Sequence, residues 1–237
     1  MKNILITGGA GGIGSAIAKK FIKQGFKVYS IDVETLDLGE SFVNLKGDVS
    51  SLSSLKEMKK ECEGISFSHI ITLAGRAIED EWKGLKDISL ETIENSIHLN
   101  LVGQLNVVRM FLDQLSGDKA SIILMSSINA YGGFGLPYYS AAKMGLIGYM
   151  NATKDELKEM NIRINVIAPG TVVTEATQQE PKDFDDLLKY TDNHRFVTKE
   201  EVADLAFSLC ESSDETGSVC IIDEGQLKNK KKSWDYY

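Results

Sequence analysis

Apolar residues along this 237-residue chain fall into two alternating kinds of run. Short, almost continuously apolar stretches recur at Asn3–Thr7 (NILIT), Lys27–Ile31 (KVYSI), Phe42–Leu45 (FVNL), His69–Leu73 (HIITL), Ser121–Met125 (SIILM), Arg163–Ile167 (RINVI) and Val219–Ile222 (VCII). Runs of this length without polar alternation predict strands covered on both faces, the environment of a parallel sheet. Between them the apolar positions take helical spacing. Ile13, Ile17 and Phe21 stripe the first helix, which should stop at Gly25. Ser53–Cys62, Leu90–Leu115, Tyr139–Met160 and Lys199–Glu211 supply further helices. Strand–helix alternation with right-handed crossovers predicts an α/β chain with a single-domain Rossmann fold, a doubly wound parallel sheet of about seven strands. There is no internal repeat and no linker rich in Pro, Gly or Ser, so one domain should run over residues 1–227. Two stretches break the pattern: the acidic, polar Glu175–His194 and the tail of residues 228–237, which reads most simply as a solvated end.

The junction between the first strand and the first helix is crowded with glycine: Gly8, Gly9, Gly11, Gly12 and Gly14. Glycine buries no side chain and loses more backbone entropy than any other residue, so the stretch must need positive φ angles or a backbone a ligand can approach. A strand before and a helix after such a turn place backbone N–H groups and the positive helix end where a pyrophosphate can bind. Asp32 directly follows the second strand, the position of a carboxylate that would accept hydrogen bonds from both ribose hydroxyls and repel a 2′-phosphate. The glycine turn carries no Arg or Lys to offset that repulsion, so the expected cofactor is NAD rather than NADP. Further along, Tyr139 and Lys143 stand at i and i+4 near the start of a helix and share one face. An ammonium within about 4–6 Å favours the phenolate and should lower the tyrosine pKa. The preceding strand ends at Met125, and ligands of parallel sheets bind at such strand ends.

These motifs together resemble the short-chain dehydrogenase/reductase family in its common form. Thr7-Gly8-x-x-x-Gly12-x-Gly14 matches TGxxxGxG, and Tyr139-x-x-x-Lys143 matches YxxxK, which Tyr138 does not satisfy because Ala142 follows it by four. The resemblance implies a catalytic set of Asn100, Ser127, Tyr139 and Lys143. The serine has two alignments: counting back from Tyr139 selects Ser126, whereas aligning the strand end selects Ser127, preferred because loops vary in length. Asn100 would hold a water linking Lys143 to solvent, with a capping or helix-bending asparagine as the competing reading. The family's cofactor contacts fall on Gly8, Gly12, Ile13, Gly14 and Asp32, then on Asp48 and Val49 beside the adenine and on Ala74 and Gly75 beside the ribose. Tyr139 and Lys143 also reach the nicotinamide end, as do Pro169, Gly170 and Thr174 of a segment that resembles NxxxPGxxxT from Asn165 onward. Arg195–Ala203 and Thr216–Gly225 resemble the closing helix and strand. Where the family has NNAG, this chain has Thr72-Leu73-Ala74-Gly75, which leaves open how the sheet is braced there. The family's substrate lid corresponds to about residues 175–198, and candidate pocket residues are Arg76, Trp82, Asn129, Tyr131 and Tyr138.

Charge and composition narrow the reading further. A net charge of −8 argues against a nucleic-acid partner, and no apolar stretch approaches a membrane span. Cys62, Cys210 and Cys220 lack CxxC spacing, and His69, His98 and His194 lie far apart, so a cytoplasmic, metal-independent protein is expected. The resemblance implies hydride transfer between NAD and the carbonyl or alcohol carbon of a small polar substrate, in a homodimer or homotetramer. A 3-oxoacyl-carrier-protein reductase is an alternative that Asp32 and the acidic charge disfavour. A non-catalytic NAD-binding sensor or scaffold is another, disfavoured by the intact Tyr/Lys pair.

Overall fold

The computed structural model describes residues 1–132, 134–175 and 184–232. In chain order the elements begin with β1 (Asn3–Thr7), α1 (Gly12–Lys23), β2 (Lys27–Asp32), β3 (Phe42–Lys46), α2 (Leu52–Glu61) and β4 (His69–Thr72). They continue with α3 (Leu90–Ile97), α4 (Gly103–Phe111), β5 (Ser121–Met125), α5 (Pro137–Glu159), β6 (Arg163–Pro169) and β7 (Val172–Val173). The C-terminal part holds α6 (Phe184–Leu188), β8 (Val197–Thr198), α7 (Lys199–Phe207), β9 (Val219–Ile222) and α8 (Gln226–Lys232). Seven strands form one parallel sheet in the order β3-β2-β1-β4-β5-β6-β9, a single Rossmann-like domain. The order reverses between β1 and β4, and that switch point fixes where a ligand crevice opens.

The continuously apolar strands are explained by their two faces. Leu5, Ile122 and Leu124 join Leu55, Phe111 and Leu146 in a core layer beneath α2, α4 and α5. Ile4, Ile6 and Ile123 point the other way, into a layer with Ile17 and Phe21 of α1 and Val202 and Ala206 of α7. Successive strand residues alternate between faces, so a strand buried on both has no polar position to show.

Some boundaries differ from those the sequence pattern predicts. The stretch expected as one helix from Leu90 to Leu115 is interrupted by a π turn, His98–Val102, and ends in a 3-10 turn, Leu112–Gln114. A second π turn, Ser208–Ser212, follows α7. Such one-residue insertions leave the apolar stripe nearly unchanged and are therefore hidden from periodicity. Helix α5 starts at Pro137, two residues before Tyr139, because proline suits a first helical position whose N–H has no partner anyway. The start of the tail departs from a solvated end: on α8, Asn229 Nδ2 donates to the Tyr190 carbonyl at 2.8 Å and to Asp192 Oδ1 at 2.7 Å, while residues 233–237 lie outside the described residues.

At the edge of the sheet opposite the strand C-termini, His69 is fully buried at the start of β4. Its Nδ1 pairs with Ser121 Oγ and its Nε2 with Glu211 Oε1, both at 2.9 Å. Burial pulls the His69 pKa down to about 4, despite the opposing hydrogen bond to Glu211. Between the ordinary value of 6.5 and about 4, the unfolded chain therefore binds a proton that the folded chain does not. Stability should fall on acidification through this window, by up to about 3 kcal/mol. Urea unfolding midpoints measured from pH 7 to pH 4 should show that slope, and His69→Gln should flatten it; an equal slope in the variant would assign it to other groups.

Candidate active site

The C-terminal ends of β4, β5 and β6 and the start of α1 border a cavity of about 1040 Å³. Its walls include Ile13, Gly75, Ser127, Tyr139, Lys143, Pro169, Gly170 and Thr174, so residues scattered from 13 to 174 in the sequence converge there. Asn100 stands behind this wall, in the π turn between α3 and α4.

The glycine turn is built to tolerances that only glycine meets. Gly8 takes a φ of 73°, and a Cβ on Gly14 would stand 2.0 Å from the Gly8 carbonyl oxygen. A Cβ on Gly12 would stand 2.7 Å from the Thr174 side chain, so α1 and the Pro169–Thr174 segment pack without room for any side chain. Asp32 ends β2 with its carboxylate turned back to the glycine turn: Oδ2 accepts from the Ala10 N–H at 2.9 Å and Oδ1 from the Glu34 N–H at 3.1 Å. A bare backbone cradle at a helix N-terminus, with a carboxylate beside it, is the donor and acceptor set a dinucleotide fits. Asp48 instead folds onto its own loop, accepting from Ser50 N and Ser50 Oγ, while Val49 is buried against Gly103. Neither is among the residues lining the cavity.

The Thr72-Leu73 departure has a structural answer. Thr7 Oγ1 accepts from the Leu73 and Ala74 N–H groups at 3.1 Å each, tying β1 to the segment after β4. Thr72 pairs with Gln104, a fully buried residue of α4. The amide orientation that satisfies all its neighbours has Gln104 donating to Thr72 Oγ1 and O at 2.8 Å each, and accepting from Lys143 Nζ at 3.1 Å. Gln104 therefore takes part in holding the lysine, a role that no motif in the sequence signals.

Around Tyr139 and Lys143, Lys143 Nζ donates to the Met125 carbonyl at 3.0 Å and stands 5.3 Å from the Tyr139 ring centroid. Asn100 Nδ2 donates to the carbonyls of Arg76 and Ser96, and its buried Oδ1 accepts no hydrogen bond from the protein. A Cβ on Gly75 would be 2.5 Å from that Oδ1 and 3.3 Å from Lys143 Nζ, so glycine keeps the space between them open. Burial pushes the Tyr139 hydroxyl up to about 12; a hydrogen bond with Ser127 opposes this and the Glu81 charge adds to it. Burial also brings Lys143 down to about 7. The expected lowering of the tyrosine pKa is thus absent here, because desolvation is the largest influence on the hydroxyl.

The two serines are separated by geometry. Both border the cavity, but Ser126 Oγ donates to the Lys143 carbonyl at 2.8 Å and is spent on helix α5, whereas Ser127 Oγ is held only by its own turn, donating to Asn129 Oδ1 at 3.2 Å, and stands close enough to Tyr139 to influence its hydroxyl. Ser127→Ala should therefore cost activity at least tenfold, and Ser126→Ala should act mainly through stability. The reverse pattern in steady-state assays would make Ser126 the substrate-facing hydroxyl.

Of the predicted pocket residues, Trp82 and Asn129 line the cavity; Arg76, Tyr131 and Tyr138 are not among its lining residues. Phe134, Leu136, Leu187, Lys189, Tyr190 and Lys230 take their place. Lys230 arrives on α8 and lies 4.5 Å from the Tyr190 ring centroid, so part of the tail belongs to the pocket wall. The expected lid of about residues 175–198 is described at Glu175 and from Phe184 onward, and its middle, 176–183, lies outside the described residues.

With this geometry in place, comparison with known proteins is informative. Residues 2–185 match the short chain dehydrogenase family model, and the chain belongs to the short-chain dehydrogenase/reductase family of NAD(P)-dependent oxidoreductases. It is 32% identical over 233 residues to carbonyl reductase family member 4 of Xenopus laevis, covering 93% of this chain and 95% of the relative. It is 33% identical over 238 residues to a 3-oxoacyl-[acyl-carrier-protein] reductase of Thermotoga maritima, covering 94% and 97%. Among solved structures, an oxidoreductase of this family from Burkholderia thailandensis matches with a TM-score of 0.86 at 27% identity, over 99% of this chain and 96% of that one. Among the described residues no helix is long and apolar enough to cross a membrane.

Proposed function

We propose that the protein moves a hydride between NAD(H) and a carbonyl or alcohol carbon, with Tyr139 as the acid–base group. The observation that carries this reading is the convergence of Tyr139, Ser127 and Lys143 on the wall of one cavity that Ile13, at the start of the helix after the glycine turn, also lines. Held by Gly8, Gly12, Gly14 and Asp32, the dinucleotide would supply or take the hydride when bound. Ser127 orients the substrate oxygen, and Tyr139 gives that oxygen a proton in reduction or takes one in oxidation. Lys143, 5.3 Å from the Tyr139 ring centroid, steadies the tyrosine's charged form when it is itself protonated, and Asn100 offers an acceptor at which a water can return protons to Lys143. Asp32 supports NAD over NADP, since a carboxylate at this point would meet a 2′-phosphate with like charge.

For the substrate, two observations favour a 3-oxoacyl thioester over the small polar alcohol expected from the sequence. Curated relatives matched over nearly their whole length carry the name 3-oxoacyl-[acyl-carrier-protein] reductase. The outer wall of the cavity is apolar and aromatic, through Trp82, Phe134, Leu136, Leu187 and Tyr190, which suits an acyl chain. The rim mixes Lys189 and Lys230 with Glu79 and Asp186, so the net charge of −8 does not extend to it as a repelling field.

The test follows nicotinamide absorbance with NADH and NADPH against acetoacetyl-CoA and an acetoacetyl carrier protein. Sugars, polyols, hydroxy acids and short secondary alcohols are run in parallel with NAD and NADP. Reduction of the thioesters that vanishes in Tyr139→Phe supports this reading. Turnover confined to the polar alcohols would replace the substrate class, and NADH binding without any turnover would point to a sensor.

A further inference from the structure

Helix α5, which carries Tyr139 and Lys143, begins without a cap of its own. Leu136 precedes it in a left-handed conformation (φ 55°, ψ 67°) and offers no side-chain hydrogen bond, and Pro137 has no N–H. The first two free amides, Tyr138 N and Tyr139 N, both donate to Glu81 Oε2 at 2.9 Å. Glu81 lies 57 residues upstream of Tyr138, in the 3-10 turn Glu79–Trp82. It is only 2% exposed, and its other oxygen accepts from Ser96 Oγ on α3 at 2.5 Å. A buried carboxylate is costly unless its lone pairs are satisfied, and here three donors from two elements satisfy them. The carboxylate also sits at the positive end of a long helix. Its neighbours Glu79 and Trp82 line the cavity, so one short turn both builds the pocket wall and holds the catalytic helix.

We propose that Glu81 is a positioning residue of this site: through the Tyr138 and Tyr139 amides it fixes where α5 starts, and so where the Tyr139 hydroxyl stands. The role of that hydroxyl rests on the functional reading above; the anchoring does not. Three groups bear on Tyr139: Lys143 from its own helix, Ser127 from the loop after β5, and Glu81 from the turn after β4. Of these, the Glu81 charge works against the phenolate. Removing the charge while keeping an acceptor should therefore make Tyr139 easier to ionise.

Glu81→Gln keeps an amide oxygen for the two N–H groups and drops the charge; Glu81→Ala drops both. Amide hydrogen exchange of the purified protein reads the anchor without any substrate. Exchange at residues 138–139 should rise at least tenfold in the Ala variant and stay within about threefold of the parent in the Gln variant. With acetoacetyl-CoA and NADH, kcat should fall at least tenfold in the Ala variant and largely recover in the Gln variant, whose alkaline limb should move to lower pH. Unchanged exchange in the Ala variant overturns the anchor. Failure of the Gln variant to protect these amides does the same, and this variant carries the test if the Ala variant does not fold. An unmoved alkaline limb in an active Gln variant removes the electrostatic part. If Tyr139→Phe retained turnover, the acid–base reading would fail while the exchange data still judged Glu81.

Discussion

Replacing Tyr139 by phenylalanine is expected to lower kcat by about a thousandfold or more while leaving the NADH dissociation constant within about twofold. The expectation follows from what the substitution removes. The ring stays, so the wall beneath Lys143 keeps its packing, but the hydroxyl beside Ser127 is gone. General acid–base catalysis is worth about 10²–10⁴-fold, which sets the size of the expected loss. Stopped-flow fluorescence of bound NADH separates the two quantities. A variant that lost nucleotide binding to the same extent as turnover would make Tyr139 a structural residue of the cavity wall.

The second large effect concerns Asp32. Exchange for alanine should reduce kcat/KM with NAD by about ten- to a hundredfold, the loss expected when one or two hydrogen bonds to a charged group disappear. The same change should raise kcat/KM with NADP, since the charge that opposes a 2′-phosphate has left. Asp32 also accepts from the Ala10 N–H, so part of the loss could come from a loosened glycine turn. Asp32→Asn separates the two contributions: an amide oxygen can keep the Ala10 bond while the charge is removed. Equal discrimination between NAD and NADP in the asparagine variant and the parent would remove Asp32 from cofactor choice.

Much of this molecule was legible before its structure. The seven apolar runs became the seven strands of the sheet; in the five inner ones burial on both faces imposes a continuous apolar pattern, while the edge strands β3 and β9 are only partly buried. The glycine turn and the Tyr139/Lys143 pair were legible for a related reason: their roles depend on neighbours along the chain, a turn into a helix or one face of a helix at i and i+4. Local geometry of this kind leaves a local signature.

What stayed hidden depends on residues far apart in sequence. Glu81 sits in an acidic stretch, IEDEW, that reads as a solvated surface, yet the fold carries it beneath the start of α5. Gln104 is one polar residue in an otherwise ordinary helix, and only packing sets it between Thr72 and Lys143. Lys230 looks like one of several tail lysines until α8 docks through Leu227 beside Tyr190. The sign of the Tyr139 shift was hidden as well: sequence spacing supplies a neighbouring lysine, but the desolvation that raises the tyrosine belongs to the packing around it. The amino-acid sequence by itself therefore determined the sheet, the glycine turn into α1 and the placing of Tyr139 and Lys143 on one helix face, through periodicities and spacings of a few residues. The tertiary structure alone decided which groups anchor that pair, what lines the substrate wall and how the pair ionises, because hydrogen bonding and desolvation depend on distance in space.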